Sequence, residues 1–435
     1  MVPQMKRKLT QTALIKSIEK RAFCLEDPRA ANRHYSLKDV FMTSFWMCFL
    51  NADSLSSYYE DLQKAKGNVK KLLGVREVPC RNQMCNVLDQ IPLNQLSLVF
   101  DDILKRMDRS GVLNDFKHSR FGYLMALDGT QISNSEKISC ENCCQKHHED
   151  GRVQYCHSVL NAMLIHPSQN VALPVGGEFI QRQDGRKKQD CERNAAKRWL
   201  NAFSKQHKIM NMTILADDLH CNQPFIEALE SKGYNYIMTC KEGSHKYLYE
   251  WIEAQHQGGD LQTLTLTKYE GNRKRIYQYE YVNGIDIREH DALKGNYVKL
   301  TIKDALGGRN LGTFAYLTNY KISTKNIEAL VDAARRRWKV ENEGHNTLKT
   351  KGYNFDRNYG HGKKNLCQVM ALMKLIAMAI HVLIDYLKQE TLAGVRKSYT
   401  SIKKAMEGIR NLFRIRRCKS WEELYKYALF GLDSS

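Results

Sequence analysis

The chain has 435 residues, and its 67 Lys and Arg outnumber 47 Asp and Glu, leaving a formal net charge of +20. A balance of 43% hydrophobic and 26% charged residues excludes wholesale disorder, and at about 150 residues per domain the length allows two or three domains with sizeable cores. Positive charge of this size points to a polyanion, either nucleic acid or an anionic membrane surface, and says nothing about the fold.

The 13 cysteines run from Cys24 to Cys418, and no apolar stretch follows the basic start MVPQMKRKL, a pattern expected of a cytoplasmic protein with free thiols. Residues 1–118 read as helices. Ser36 is placed to cap a turn with Asp39, after which Leu37, Val40, Phe41, Phe45, Trp46 and Phe49 recur near helical spacing. A second helix, NQMCNVLDQI, follows Pro79. Short helices in a basic region suit either a helix-turn-helix reader of DNA or a plain packing module.

Strands begin near residue 119: FGYLMALDG ends in Asp-Gly, and HSVLNAMLIHPSQNVALPVGGEFI reads as two strands around a turn, giving a three-strand meander. The helix CERNAAKRWLNAFSKQ, the strand MTILADD, the helix QPFIEALESKG and the strand YNYIMTC follow. This alternation over 119–240 predicts an α/β core with some parallel pairing. Residues 241–322 then show alternating β-branched and aromatic residues, a β-rich insertion. A long helix resumes the α/β pattern over 323–390, and a basic helical tail fills 391–435. Residues 366–387 approach membrane length, but Gln368, Lys374 and His381 interrupt them and Asp385 falls near the end, so they read as a buried helix. With no membrane span, nucleic acid is the leading polyanion.

Three acidic residues do not suit their surroundings. Asp128 closes one apolar strand and Asp217, with Asp218 beside it, closes another; a carboxylate there needs a compensating partner. For Asp128 alone the ordinary reading is an Asp-Gly turn or an arginine partner. In the helix from Thr324, the positions Ile327, Val331, Ala334, Trp338, Glu341, His345 and Leu348 trace one face, which puts Glu341 on the core stripe and Glu343 in solvent. A salt bridge from Glu341 to Arg337, one turn earlier, is also expected. Acids at two strand ends and on a following helix can converge on divalent cations, which suits phosphoryl chemistry on a nucleic-acid backbone.

These segments carry a family resemblance. ALDGT at 126–130, ILADDLHCNQPF at 214–225 and RRRWKVENEGHNTLKTKGYN at 335–354 resemble the two aspartate strands and the glutamate helix of DDE transposases of bacterial insertion sequences, in the "insertion sequence four" group. The resemblance spans roughly residues 120–385 and implies a ribonuclease H-like mixed-sheet catalytic core. A β-rich insertion between the second Asp and the Glu belongs to the same pattern. It further implies that Asp128, Asp217 and Glu341 bind two Mg²⁺ ions, with Mn²⁺ able to substitute, with Asp218 the alternative to Asp217. By the same resemblance the protein cuts the element's terminal inverted repeats in double-stranded DNA and joins them to target DNA, as a homodimer. Arg337 matches the family's Arg four residues before the Glu and is expected on a DNA phosphate, flanked by Arg336, Lys349 and Lys351. The motif departs where Ala334 stands for Tyr and Leu348 for Lys, with Lys349 next to it. A catalytically silent DNA-binding descendant and a host nuclease of the same fold are the alternative readings.

ISCENCCQKHHEDGRVQYCH at 138–157 allows a tetrahedral zinc site, with Cys140, Cys143 and His157 as its first three ligands and the fourth open; the plain alternative is a polar hairpin. Basic clusters at Arg186–Lys188, at Arg335–Arg337, and at Arg410, Arg414, Arg416 and Arg417 are candidate phosphate contacts.

Overall fold

The computed structural model describes residues 7–431 apart from 28, 30–32, 66, 182–189, 208, 209, 290–292, 358, 389 and 390. The basic cluster Arg186–Lys188 lies outside the described residues.

Five helices lead: α1 (Gln11–Phe23), α2 (Leu37–Phe49), α3 (Leu55–Lys64), α4 (Arg81–Leu88) and α5 (Leu93–Arg109). Ser36 caps α2 as its spacing predicts, accepting from the Asp39 amide at 3.0 Å. Every residue of α2 except Lys38 is buried, however. A helix enclosed on all sides cannot enter a DNA groove, so α2 is a packing element.

The strands are β1 (Lys117–His118), β2 (Gly122–Ser135), β3 (Cys144–His147), β4 (Val153–Ile165) and β5 (Ala172–Ile180). Next come α6 (Glu192–Gln206), β6 (Met212–Ala216), α7 (Gln223–Glu230), β7 (Asn235–Thr239) and α8 (Lys246–Gly258). The strands all belong to one sheet in which β2, β4 and β5 form an antiparallel meander and β2, β6 and β7 run parallel. The apolar runs of β2 and β6 are continuous because the sheet is covered on both faces.

The insertion supplies β8 (Gln262–Glu270), β9 (Arg273–Asp286), β10 (Lys294–Asp304) and β11 (Asn310–Thr318). It does not stand apart: β11 pairs with β7 over Tyr316↔Thr239 to Thr318↔Ile237, so the insertion's four strands extend the core sheet.

The chain then forms α9 (Ile327–Arg335), a π-helical turn at Val340–His345 and α10 (Asn346–Thr350). The long apolar helix α11 (Leu366–Leu387) follows, then α12 (Thr391–Ser398), α13 (Ile402–Ile415) and α14 (Trp421–Phe430). As expected, α11 is a buried core helix whose polar residues are all engaged. Lys374 donates to the Asn354 carbonyl at 2.8 Å, His381 meets the Tyr353 hydroxyl at 2.7 Å, and Gln368 donates to Gln181 at 3.1 Å. The terminal helices pack together, with Trp46 stacked on Trp421 at 4.9 Å. A three-strand meander leading into two parallel strands, with helices on both faces, is a ribonuclease H-like core.

Candidate active site

Parallel pairing of β2 with β6 runs from Tyr123↔Met212 to Ala126↔Leu215 and stops. Asp128 and Asp217 both lie just beyond this last pair, one on β2 and one immediately after β6. They therefore stand side by side where adjacent parallel strands part, the crevice in which open α/β sheets hold ligands. Asp128 does not close its strand, as the Asp-Gly reading expected. Pairing with β4 carries β2 on to Ser135, with Asp128 opposite Asn161.

Side chains alternate across a sheet, so Asp128 and Gly129 face opposite layers. Asp128 faces the Glu341 segment: its Oδ1 lies 3.5 Å from Arg337 Nη1 and its Oδ2 lies 3.3 Å from His345 Nδ1. Asn161 Nδ2 lies 3.1 Å from His345 Nε2. One tautomer satisfies both contacts, with Nδ1–H donating to Asp128 and Nε2 accepting from the Asn161 amide. Arg337 Nη2 also donates to Glu341 Oε1 at 2.8 Å, the expected salt bridge. One guanidinium thus spans Asp128 and Glu341.

Glu341 is not on the core stripe that a regular helix predicts. The α-helix ends at Arg335, Arg336 and Arg337 form a turn, and the π turn shifts the phase, leaving Glu341 and Trp338 exposed while Gly344 and His345 are buried. Glu343, read as solvated, is half-buried.

Asp217 accepts at Oδ1 from the Leu219 amide at 3.1 Å and meets His220 Nδ1 at 3.0 Å. Burial raises its pKa, but the His220 hydrogen bond and charge, Arg337 and the Leu219 amide outweigh this and hold it below the ordinary aspartate value. Fully buried His220 places Nε2 3.7 Å from Glu192 Oε1. Glu192, at the start of α6, also meets the Gly129 backbone, and its pKa is raised by burial and by the nearby Asp217 and Asp128. A Cβ on Gly129 would lie 2.1 Å from Glu192 Oε2, so the glycine permits this approach.

Glu192, His220, His345 and Asn161 were not legible as site residues. An acid in a first helical turn is ordinarily a helix-dipole partner, and nothing in the local pattern separates Glu192 from that role. Asp218 turns away from this group, accepting from the Lys241 amide at 2.6 Å and lying 3.1 Å from His245. Arg336 and Lys351 are half-buried and Lys349 is exposed; among the described residues none of them pairs with the three acids. Arg410 is buried, donating to the Leu50 and Asn51 carbonyls and to Asp53, which removes it from the candidate phosphate contacts. Arg414 is paired with Asp61 at 3.3 Å. Cys140, Cys143 and His157 do come together, joined by His361.

Residues 170–380 match the transposase DDE domain family. The chain carries a transposase DDE domain. The match takes in Asp217, Arg337 and Glu341, while Asp128 lies upstream of it and joins the group through the sheet register. Among curated proteins none matches this chain. Transposase DDE domains act on DNA and generally use divalent metal ions.

Proposed function

We propose that the protein is a DNA transposase of the "insertion sequence four" type, with Asp128, Asp217 and Glu341 as its catalytic acids. The observation that carries this reading is the convergence of acids from β2, from the end of β6 and from the π turn around one arginine. The four-stranded insertion β8–β11, which lies between Asp217 and Glu341, supports the subgroup.

The donor set fits Mg²⁺, with Mn²⁺ as a substitute. Three carboxylates, from Asp128, Asp217 and Glu341, surround one guanidinium whose buried Nε and Nη1 have no hydrogen-bond partner among the described residues, and Glu192 adds a fourth negative charge close to Asp217 and Asp128. Hard oxygen ligands with excess negative charge select such ions. Two ions held by Asp128, Asp217 and Glu341 would supply charge neutralisation at the phosphate and activation of the attacking oxygen. The chain's own residues prepare the rest. His345 and Asn161 orient Asp128, and His220 holds Asp217 ionised. Arg337, turned from Asp128, offers its free N–H groups to a DNA phosphate, with Arg336, Lys349 and Lys351 flanking it. The substrates are the element's inverted repeats and target DNA, and joining two ends requires at least a homodimer.

The test is Mg²⁺-dependent cleavage of duplex DNA bearing the inverted repeats that flank the reading frame. Wild-type protein cuts, Asp128→Asn and Glu341→Gln fall to background, and Glu192→Gln loses about 10- to 100-fold, as expected for a residue that orients ligands. Equal cutting by wild type and the Asp128 and Glu341 variants refutes the assignment, and DNA binding without cutting by wild type supports a silent descendant.

A further inference from the structure

Four side chains meet on the far side of Asp128's hairpin: Cys140 and Cys143 from the loop before β3, His157 from β4 and His361 from the segment between α10 and α11. Their facing atoms all lie within 4.8 Å of one another. The sulfurs of Cys140 and Cys143 are 3.7 Å apart. His157 Nε2 lies 3.3 Å from Cys140 Sγ and 3.4 Å from Cys143 Sγ, and His361 Nε2 lies 3.2 Å from Cys143 Sγ.

A tetrahedron with Zn–S of about 2.3 Å and Zn–N of about 2.0 Å has edges of roughly 3.3–3.8 Å. Four of the six separations, at 3.2–3.7 Å, match these edges. Cys143 Sγ faces one sulfur and two ring nitrogens, so four soft donor atoms converge on one point, the arrangement that a single bound ion satisfies at once. Cys143 Sγ also accepts from the Cys140 amide at 3.4 Å, a contact suited to a thiolate. We propose that Cys140, Cys143, His157 and His361 form a structural Zn²⁺ site with no open coordination position.

His361 was invisible as a ligand because it lies 218 residues from Cys143. The site fastens the hairpin that carries Asp128 to the segment that follows Glu341. A second contact ties the same two pieces, since Asn142 donates to the Lys364 carbonyl at 3.0 Å. The zinc would hold two of the acidic segments in register, and it stands whether or not the protein cuts DNA.

Elemental analysis of the purified full chain should find about one zinc per chain. Cys143→Ser should reduce that to below about a tenth, whereas His148→Ala, altering an exposed neighbouring histidine, should leave it unchanged. Cobalt exchanged into the wild-type protein needs no variant to fold. It should give the visible spectrum of a tetrahedral ion with thiolate charge-transfer bands. A folded wild-type protein free of zinc after growth in zinc, zinc unaffected by Cys143→Ser, or a cobalt spectrum without thiolate bands would each overturn the proposal.

Discussion

Arg337 and Lys374 show how differently two buried cations are used. Arg337 stands between Asp128 and Glu341, its side chain 11% exposed and its buried Nε and Nη1 without a hydrogen bond among the described residues, so its charge is balanced by acids. Lys374 is enclosed in α11, donates to the Asn354 and Arg357 carbonyls and lies 4.0 Å over the Tyr359 ring. Burial pushes its pKa from 10.5 down to about 8. The folded state therefore binds fewer protons than the unfolded chain between these values, so this contribution to stability is present above about 10.5 and is lost as pH falls through about 8. Denaturant midpoints of wild type and Lys374→Met, measured across that window, should diverge in favour of wild type as pH rises, by about 3 kcal/mol in total. A constant difference would show that Lys374 does not titrate there. The sequence marked Lys374 only as an interruption in an apolar run. Its partners are Asn354, Arg357 and Tyr359, whose approach to α11 no local pattern encodes.

At the scale of elements, the π turn does most to shape the site. Regular helical geometry places Glu341 on a buried face, whereas the turn at Arg336–Arg337 and the wider Val340–His345 segment leave Glu341 exposed and direct buried His345 to Asp128. Gly344 lets this segment lie against β4, because a Cβ there would meet Met163 Sδ at 2.4 Å. Deleting Asn342 removes the extra residue of the π turn and restores α-helical phase. The variant should keep its far-ultraviolet circular dichroism and lose at least about 100-fold in strand cutting, the scale of loss from small misplacement of reacting groups. Full activity with native dichroism would show that the π phase is not needed. The meander, α6, α7 and the parallel strands were legible because each rests on a local period or a turn signal. Asp128-Gly129 was misread for the same reason: the dipeptide is common in turns, but here Gly129 is small because Glu192 approaches it from another element.

Across the whole molecule, long-range pairing decides what local pattern leaves open. The β-rich residues 262–318 were legible as strands, but their continuation of the core sheet depends on β11 pairing with β7. The two helical ends, read as separate basic modules, share a core around α11, and Arg410 spends its charge on the carbonyls that end α2. A net charge of +20 therefore overstates the free basic surface, while three of the acids meet in one crevice. The proposed function joins Asp128, Asp217 and Glu341 in one divalent-metal centre. Its most direct test replaces Mg²⁺ with Fe²⁺ in the full chain, generates hydroxyl radicals with ascorbate and peroxide, and maps the backbone cuts. Cuts are expected beside residues 128, 217 and 341 together, suppressed by excess Mg²⁺ and absent in Asp128→Asn. Failure to cut at all three segments, or cuts there that persist in Asp128→Asn, would contradict it.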